Sequence, residues 1–137
     1  MPYPYLFLVS AKFIYSACYI VFMNKEIIYP RSDVVIKYNL LVLTLIKVKK
    51  ADKPKVLSHQ KIDDAINDAK NLNGDIYDKA ACLFKGIIKN HAFASGNRRT
   101  AFIATKDFLI SNGVKFIVPD NPEQARVMLG IRENYYE

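Results

Sequence analysis

Cysteine is scarce in this chain of 137 residues, which has only Cys18 and Cys82. The two lie far apart and lack the spacing of metal ligands, which argues against a disulfide framework and against a cysteine-based metal site. We expect both to be buried thiols in a reducing cytosol. Internal repeats and low-complexity tracts are also missing. The length fits one domain and leaves no room for a second catalytic module.

Acidic residues are outnumbered, with 13 Asp and Glu against 20 Lys and Arg, for a net charge of +7. A basic protein of this size can bind nucleic acid non-specifically, but the chain has no recognition motif for it. We therefore expect no specific nucleic-acid ligand. The positive charge suits an acidic protein partner instead.

Two segments with the pattern of amphipathic helices flank residues 91–100, His-Ala-Phe-Ala-Ser-Gly-Asn-Arg-Arg-Thr. The first runs from Asp75, a suitable N-cap, to Asn90, with apolar residues at helical spacing. The second runs from about Asn97 to Asn112, contains no proline and ends at Gly113. The apolar stripes comprise Ile76, Ala80, Leu83 and Ile87 in the first segment and Ile103, Phe108 and Leu109 in the second. The stretch between them is predicted to be a helix–loop–helix corner.

The corner has the chemistry of an anion site. A loop that enters a helix through Gly96 and Asn97 leaves backbone N–H groups of the first turn unpaired. Arg98 and Arg99 add two positive charges where the helix dipole favours acidic residues, which is costly unless a phosphate or carboxylate group is present. Histidine is the side-chain type whose unperturbed pKa lies nearest neutrality, so His91 is a candidate general base. The plainer interpretation is a capping histidine followed by a common Gly-Asn turn.

The motif His-x-Phe-x-x-Gly-Asn-x-Arg-Thr-Ala at 91–101 resembles that of the Fic/Doc family, and in particular its death-on-curing (Doc) branch. Ile-Tyr-x-Lys-Ala-Ala precedes it at 76–81, and Phe-Leu-x-x-Asn-Gly follows at 108–113. The resemblance covers residues 72–116 without a gap. A weaker similarity extends back to residues 21–25.

The resemblance implies a transferase that passes part of a nucleotide to a protein hydroxyl. Most members attach AMP, whereas the Doc branch binds ATP reversed and transfers the terminal phosphate to translation elongation factor Tu. His91 would be the general base, Asn97 and Arg99 would complete the catalytic set, and Phe93 would pack under the loop. Gly96, Asn97, Arg98 and Arg99 would bind the phosphates.

Two positions favour the Doc branch within this resemblance. Arg98 stands where AMP-transferring members have a small glycine and Doc has lysine. Phe102 stands where AMP-transferring members tend to carry a second arginine. The resemblance therefore implies transfer of the γ-phosphate of ATP, with AMP transfer as the alternative.

Ser95 departs from the family pattern, which has Asp or Glu there to bind the Mg²⁺ that bridges the nucleotide phosphates. A neutral hydroxyl is a much weaker ligand for Mg²⁺ than a carboxylate. Three interpretations stay open: phosphates and water hold the metal, activity is much reduced, or the protein is a non-catalytic Fic-fold interaction protein. The metal ligand of this chain is therefore unknown.

The predicted fold is all-α: a Fic/Doc-like bundle of about six helices, with a short flap or strand pair as an option. Residues 21–137 form the Fic/Doc-like domain, and residues 1–20 form an apolar extension of uncertain status. The apolar segment 3–23 is long enough to raise the question of a membrane span, but Lys12 lies near its middle and no basic residue precedes it. A buried element or an extension upstream of the true start is the alternative.

The other predicted elements are a short strand or turn at 25–29, a helix capped by Ser32 and a helix at 58–70. A final helix follows Asn121. The apolar side of the Ser32 helix comprises Val34, Val35, Tyr38, Leu41, Val42, Leu45 and Ile46. A strand at 40–48 is an alternative to the end of that helix. The basic run 47–55 is either a solvated loop or a surface for an acidic partner.

The resemblance to the Fic/Doc family thus implies a cytoplasmic Doc-like toxin that uses ATP and Mg²⁺ to phosphorylate a translation factor. Self-inhibited members of the family carry an inhibitory helix with a glutamate, and this chain has no such pattern. Inhibition would then come from a separate, acidic antitoxin.

Overall fold

The computed structural model describes residues 25–45 and 53–116. In these two ranges the chain forms four helices and no β-strand, which confirms the all-α prediction. The helices are α1 (Ser32–Leu45), α2 (His59–Asn71), α3 (Ile76–Asn90) and α4 (Asn97–Ser111). The predicted elements before residue 25 and after residue 116 lie outside the described residues. No helix in the described ranges has the length and hydropathy needed to cross a bilayer.

Helices α2 and α3 begin at capping residues that the sequence indicates. The Ser58 hydroxyl accepts the backbone N–H of Lys61 at 3.3 Å. Asp75 accepts the N–H groups of Tyr77 and Asp78, and the Asp78 side chain accepts the Asp75 N–H in return, which completes a capping box. Each start is therefore stabilised by side chains at the helix's own N-terminus.

The core lies where α3 packs against both α2 and α4. Its buried side chains recur at helical spacing on the facing sides of these helices, as the apolar stripes predict, except that Ile103 is only half-buried and is not part of this core. The buried members in α2, α3 and α4 are Ile62, Ala65, Ile66, Ala69, Ala80, Leu83, Ile87, Ile88, Ala101, Ala104, Phe108 and Leu109. Helix α1 adds Val35 and covers the side of α4.

Lys79 is a buried cation at the junction of α2 and α3. Its Nζ donates to the carbonyl groups of Ala69, Lys70 and Leu72 at 3.2, 3.1 and 2.7 Å. These carbonyls end α2, where the helix dipole is negative and the last groups have no partner within the helix. Lys79 therefore closes the end of α2 from the neighbouring helix.

Cys82 lies in α3 and is half-buried, so the prediction of a buried thiol is only partly right. Burial raises the pKa of this thiol, and the negative charge of Asp68 adds to the rise. Cys18 lies outside the described residues.

Helix α4 ends in a Schellman motif. Gly113 adopts φ of 77°, its N–H donates to the Ile110 carbonyl, and the Val114 N–H donates to the Leu109 carbonyl. Asn112 also binds both the N–H and the carbonyl of Ile28 at 2.8 Å. The stretch before α1 is thereby attached to the end of α4.

The structure corrects three predictions for residues 25–45. Residues 25–30 contain no strand; Tyr29 instead stacks on Phe108 with ring centroids 5.4 Å apart. Ser32 lies inside α1, and the Arg31 carbonyl accepts the first helical hydrogen bonds. The prediction of Ser32 as N-cap is therefore wrong by one residue, and the strand alternative is wrong as far as Leu45.

The apolar side predicted for α1 is also partly wrong, because Leu41 and Leu45 are 46% and 71% exposed. The buried residues are Val35, Asn39, Val42 and Leu43. Leucines occupy so many positions at 40–45 that hydrophobic periodicity does not identify one face. A polar residue, Asn39, lies on the side that faces the rest of the protein.

Candidate functional site

The loop that joins α3 to α4 turns through two left-handed residues. His91 ends α3 with φ of 48° and ψ of 50°, and Gly96 precedes α4 with φ of 77°. Histidine is among the few residue types other than glycine that are enriched in this conformation. His91 is exposed, so a substrate can reach its imidazole ring.

Asn97 closes the loop with both ends of its side-chain amide. The Phe93 N–H donates to Oδ1 at 3.1 Å, and Nδ2 donates to the Phe93 carbonyl at 2.8 Å. The loop is thus held against the first residue of α4. The predicted role of the Asn97 amide at phosphates stays a prediction, and in this geometry the amide shapes the loop.

Phe93 anchors the middle of the loop in the protein. Its side chain is 1% exposed, and its backbone forms an isolated antiparallel bridge with Val56. Ala94 N–H donates to the Lys55 carbonyl at 3.0 Å, and Leu57 N–H donates to the Ala92 carbonyl at 2.7 Å. The loop therefore has a buried ring beneath it and a paired backbone beside it, as a packing role for Phe93 requires.

The N-terminus of α4 lies at the end of this loop and has the features of an anion site. Gly96 is the N-cap, no side chain caps the helix, and its first turn has no acidic residue. Arg98 is exposed, and Arg99 is half-buried with Nη1 3.5 Å from the Val42 carbonyl. Backbone N–H groups and two guanidinium groups therefore present positive charge at one helix end.

Gly96 cannot carry a side chain without strain. Its φ of 77° is unfavourable for residues with a Cβ, and a Cβ there would lie 3.1 Å from Leu43 Cδ2 and 3.2 Å from Asn39 Nδ2. The backbone conformation favours glycine, and the close approach of α1 leaves little room for a methyl group. The tight entry into α4 thus depends on residues of α1 as well as on the motif.

Sequence reasoning missed Asn39 as a residue of this site. Asn39 is 2% exposed, and its Nδ2 donates to the Ser95 carbonyl at 2.8 Å and to Thr100 Oγ1 at 3.1 Å. An available signal was a single amide at a position that shares a helix face with Val35 and Val42. The partners of that amide cannot be found from helix periodicity, because they lie in a different helix and its preceding loop.

Ser95 is half-buried, and residues 91–100 contain no carboxylate. The described part of the chain has no group of three or more His, Cys, Asp or Glu side chains that could hold a metal ion. Mg²⁺ prefers charged oxygen ligands in octahedral geometry. The residues at this loop therefore fit a phosphate group but do not supply the carboxylate for a magnesium site.

Tyr38 provides a second polar contact between α1 and α4. Burial, a hydrogen bond with Asp107 and the negative charge of that carboxylate together raise the pKa of Tyr38 to about 12. Asp107 belongs to the C-terminal half of α4, away from the motif loop. The contact helps to hold α1 against the helix whose first turn forms the anion site.

Comparison with known proteins relates the chain to Fic and Doc proteins. A family model described as the Fic/DOC family matches residues 46–109. The "Toxin Doc" of Mycolicibacterium smegmatis (strain ATCC 700084 / mc(2)155) is 37% identical to this chain over 54 residues. That match covers 39% of this chain and 42% of the relative, so less than half of the relative's length is represented. No solved structure matches the chain.

Proposed function

Because residues 46–109 belong to the Fic/DOC family, we propose that the protein is a Doc-like toxin that phosphorylates another protein. The proposed reaction transfers the γ-phosphate of ATP to a hydroxyl group of a translation factor of the elongation factor Tu type. The observation that carries the proposal is the N-terminus of α4, which has no side-chain cap, with two arginines in its first turn and His91 at the other end of the same loop.

Each residue of the loop has a part in the proposed reaction. His91 accepts the proton of the target hydroxyl as its oxygen bonds to the γ-phosphorus. The bond from that phosphorus to the bridging oxygen breaks, and ADP leaves. The N–H groups at the start of α4 and the guanidinium groups of Arg98 and Arg99 stabilise the charge on the phosphate oxygens. Asn97 keeps the loop closed through Phe93.

Magnesium has no step in this proposal, since the loop lacks the carboxylate that would hold it. Ser95→Asp is the substitution that tests this point. A faster transfer reaction in Ser95→Asp would mean that serine limits the activity of the natural protein. An unchanged rate would count against that interpretation and favour a metal held by phosphates and water.

The test of the reaction uses ATP labelled at either the γ- or the α-phosphate, incubated with Mg²⁺, cell lysate and the purified protein. His91→Asn is the control, because asparagine accepts the left-handed conformation of residue 91 and has no titratable ring. Transfer of the γ label alone, absent in the control, is the expected result. Transfer of the α label would identify an AMP transferase instead.

A second candidate function is a non-catalytic interaction protein, which the serine at position 95 favours. It predicts that neither label is transferred, although elongation factors are present in the lysate. Anion binding at α4 would persist in that case. Binding of ATP without turnover therefore separates this candidate from both transferases.

We further propose an acidic antitoxin as the partner. The net charge of +7 provides electrostatic attraction for such a protein. If the pairing is electrostatically assisted, its association rate should fall as salt concentration rises. A salt-independent association rate would contradict this part of the proposal.

A further inference from the structure

Asn39 connects α1 to both sides of the turn that precedes α4. One hydrogen-bond acceptor, the Ser95 carbonyl, comes before Gly96, and the other, Thr100 Oγ1, is in the first turn of α4. Thr100 is fully buried, and its backbone N–H makes the first hydrogen bond of the helix, to the Gly96 carbonyl at 2.9 Å. The two bonds of Asn39 therefore span the turn at Gly96.

We propose that Asn39 is a positioning residue of the phosphate site, one that sets the direction of the N–H groups that begin α4 without touching the ligand. This inference rests on the proposed function of the α4 N-terminus as a phosphate site. Nothing in the Fic/Doc-like motif at 91–101 includes Asn39, which lies 52 residues before His91. The motif is thus incomplete without a residue from α1.

The geometry around Asn39 limits how the turn can move. The space above Gly96 is filled by Asn39 Nδ2 and by Leu43, one helical turn further along α1. The Val42 carbonyl lies 3.5 Å from Arg99 Nη1. A shift of the turn relative to α1 would break both Asn39 bonds at once, and a small displacement of a binding group is enough to weaken a site.

Because Asn39 is buried, its polar amide needs an explanation other than packing. An apolar residue would fill the same space in a helix that otherwise packs with Val35, Val42 and Leu43, and the Ser95 carbonyl and the buried Thr100 hydroxyl would then lose a donor. A residue that served only to fill the core would not need to donate. If Asn39 positions the turn, its substitution should weaken ligand binding more than an equally destabilising substitution elsewhere in α1. If Asn39 only fills the core, the two substitutions should have the same effect on binding.

The experiment compares Asn39→Leu and Asn39→Asp with Val35→Ala in the full chain. Leucine keeps the branched shape with a larger volume, aspartate keeps the volume, and both remove the donor. Val35→Ala is the matched control, because Val35 is fully buried on the same helix, one turn before Asn39. For each variant, calorimetry gives the dissociation constants of inorganic triphosphate and of ATP, thermal unfolding gives the stability, and amide hydrogen exchange reports on residues 96–100.

We expect triphosphate affinity to fall about tenfold in Asn39→Leu and further in Asn39→Asp, where a carboxylate oxygen faces the Ser95 carbonyl. The amide of Thr100, whose N–H donates to the Gly96 carbonyl, should exchange faster in both. Val35→Ala should lose stability while it keeps its affinity within about twofold. Thr100→Val, which removes one of the two acceptors, should show an intermediate loss of affinity.

Equal affinity in Asn39→Leu and the natural protein would overturn the proposal, and so would an equal loss in Val35→Ala. If the natural protein binds neither probe, the phosphate site of the proposed function is wrong. The exchange data then test the link between Asn39 and the turn separately: unchanged exchange of the Thr100 amide in Asn39→Leu would reject that link, and faster exchange at Thr100 without a change in α2 and α3 would support it.

Discussion

The helix ends of this protein fall into two kinds, which the starts of α3 and α4 exemplify. Asp75 and Asp78 satisfy the first N–H groups of α3 and place negative charge at the positive end of its dipole. Helix α4 starts at Gly96 without a side-chain cap and has arginines, not acidic residues, in its first turn. The start of α3 neutralises its own dipole, whereas the start of α4 strengthens the positive charge there.

The start of α4 lacks two stabilising interactions that the start of α3 has, a capping side chain and an acidic first turn. A capping side chain contributes about 1 kcal/mol, and an acidic first turn adds a few tenths more. Helices α2 and α3 use such caps, so the protein does not lack them in general. Among the four described helices, α4 combines the lack of a side-chain cap with arginines in place of acidic residues in its first turn, which supports a ligand rather than a structural reason.

Removing the Lys79 ammonium group, which donates to the carbonyl groups at the C-terminus of α2, should have the largest effect on stability. Lys79→Met keeps the apolar stem and removes the donor to three carbonyl groups, so we expect a loss of about 3 kcal/mol in the free energy of unfolding. Urea denaturation measures the loss. Lys89→Met, at an exposed position of the same helix, should change stability by less than about 0.5 kcal/mol. Similar values for the two variants would show that the contacts of Lys79 contribute little.

Adding a methyl group at Gly96, before the first turn of α4, should affect both stability and phosphate binding. Gly96→Ala introduces strain at φ of 77° and a contact with Leu43, and we expect a loss of about 2 kcal/mol together with weaker triphosphate binding. Gly113→Ala is the control, since Gly113 has the same φ but no atom within 4 Å of the place its methyl group would occupy. It should cost about 1 kcal/mol and leave binding unchanged. Weaker binding in both variants would mean that general destabilisation, not the turn, controls affinity.

Removing the cap of α3 makes its start resemble that of α4, apart from the arginines. Asp75→Ala should lower the free energy of unfolding by about 1 kcal/mol. Calorimetry should detect no second triphosphate site, because a helix end without a cap does not by itself bind an anion strongly. A new triphosphate site in Asp75→Ala would show that an uncapped helix N-terminus binds the anion without arginines such as Arg98 and Arg99.

The smallest expected effect concerns the contact between α1 and α4 at high pH. The pKa of Tyr38 is raised from 10.0 to about 12 in the folded protein, so folding favours the neutral phenol. The resulting stability is present below pH 10 and is lost as pH rises from about 10 to about 12. Urea midpoints at about pH 9 and about pH 11 should differ more for the natural protein than for Tyr38→Phe. Equal differences would assign the change to other groups.

Local signals in the sequence were sufficient for much of this fold. Asp75 as a cap, Gly113 as a stop and the apolar stripe of α3 all involve residues within one or two helical turns of each other, and the structure agrees with each. The loop at 91–100 can be recognised from local sequence for the same reason, because its histidine, glycine and arginines are close together. Its proposed chemistry stays a prediction.

Relations between distant parts of the chain could not be inferred in that way. The buried side of α1 depends on Asn39 meeting Ser95 and Thr100, and nothing in the leucine-rich sequence around it selects that face. Lys79 appears in the sequence as part of the Ile-Tyr-x-Lys-Ala-Ala pattern at 76–81. Its three carbonyl partners belong to the end of another helix. Both cases involve a polar side chain whose role is set by the tertiary neighbour, which sequence periodicity does not identify.

The long connections of Asn39 also bear on when the site forms as the protein folds. Its bonds join residues 56 and 61 positions apart, whereas α2 and α3 are joined directly by residues 72–75. Loops that close over long separations form slowly, so we expect the α2–α3 pair to assemble before the turn at Gly96. Pulse-labelled hydrogen exchange during refolding should protect the amides of α3 before that of Thr100, and simultaneous protection would contradict this order. A chain still emerging from the ribosome would then carry a folded helix pair before the turn at Gly96 had formed.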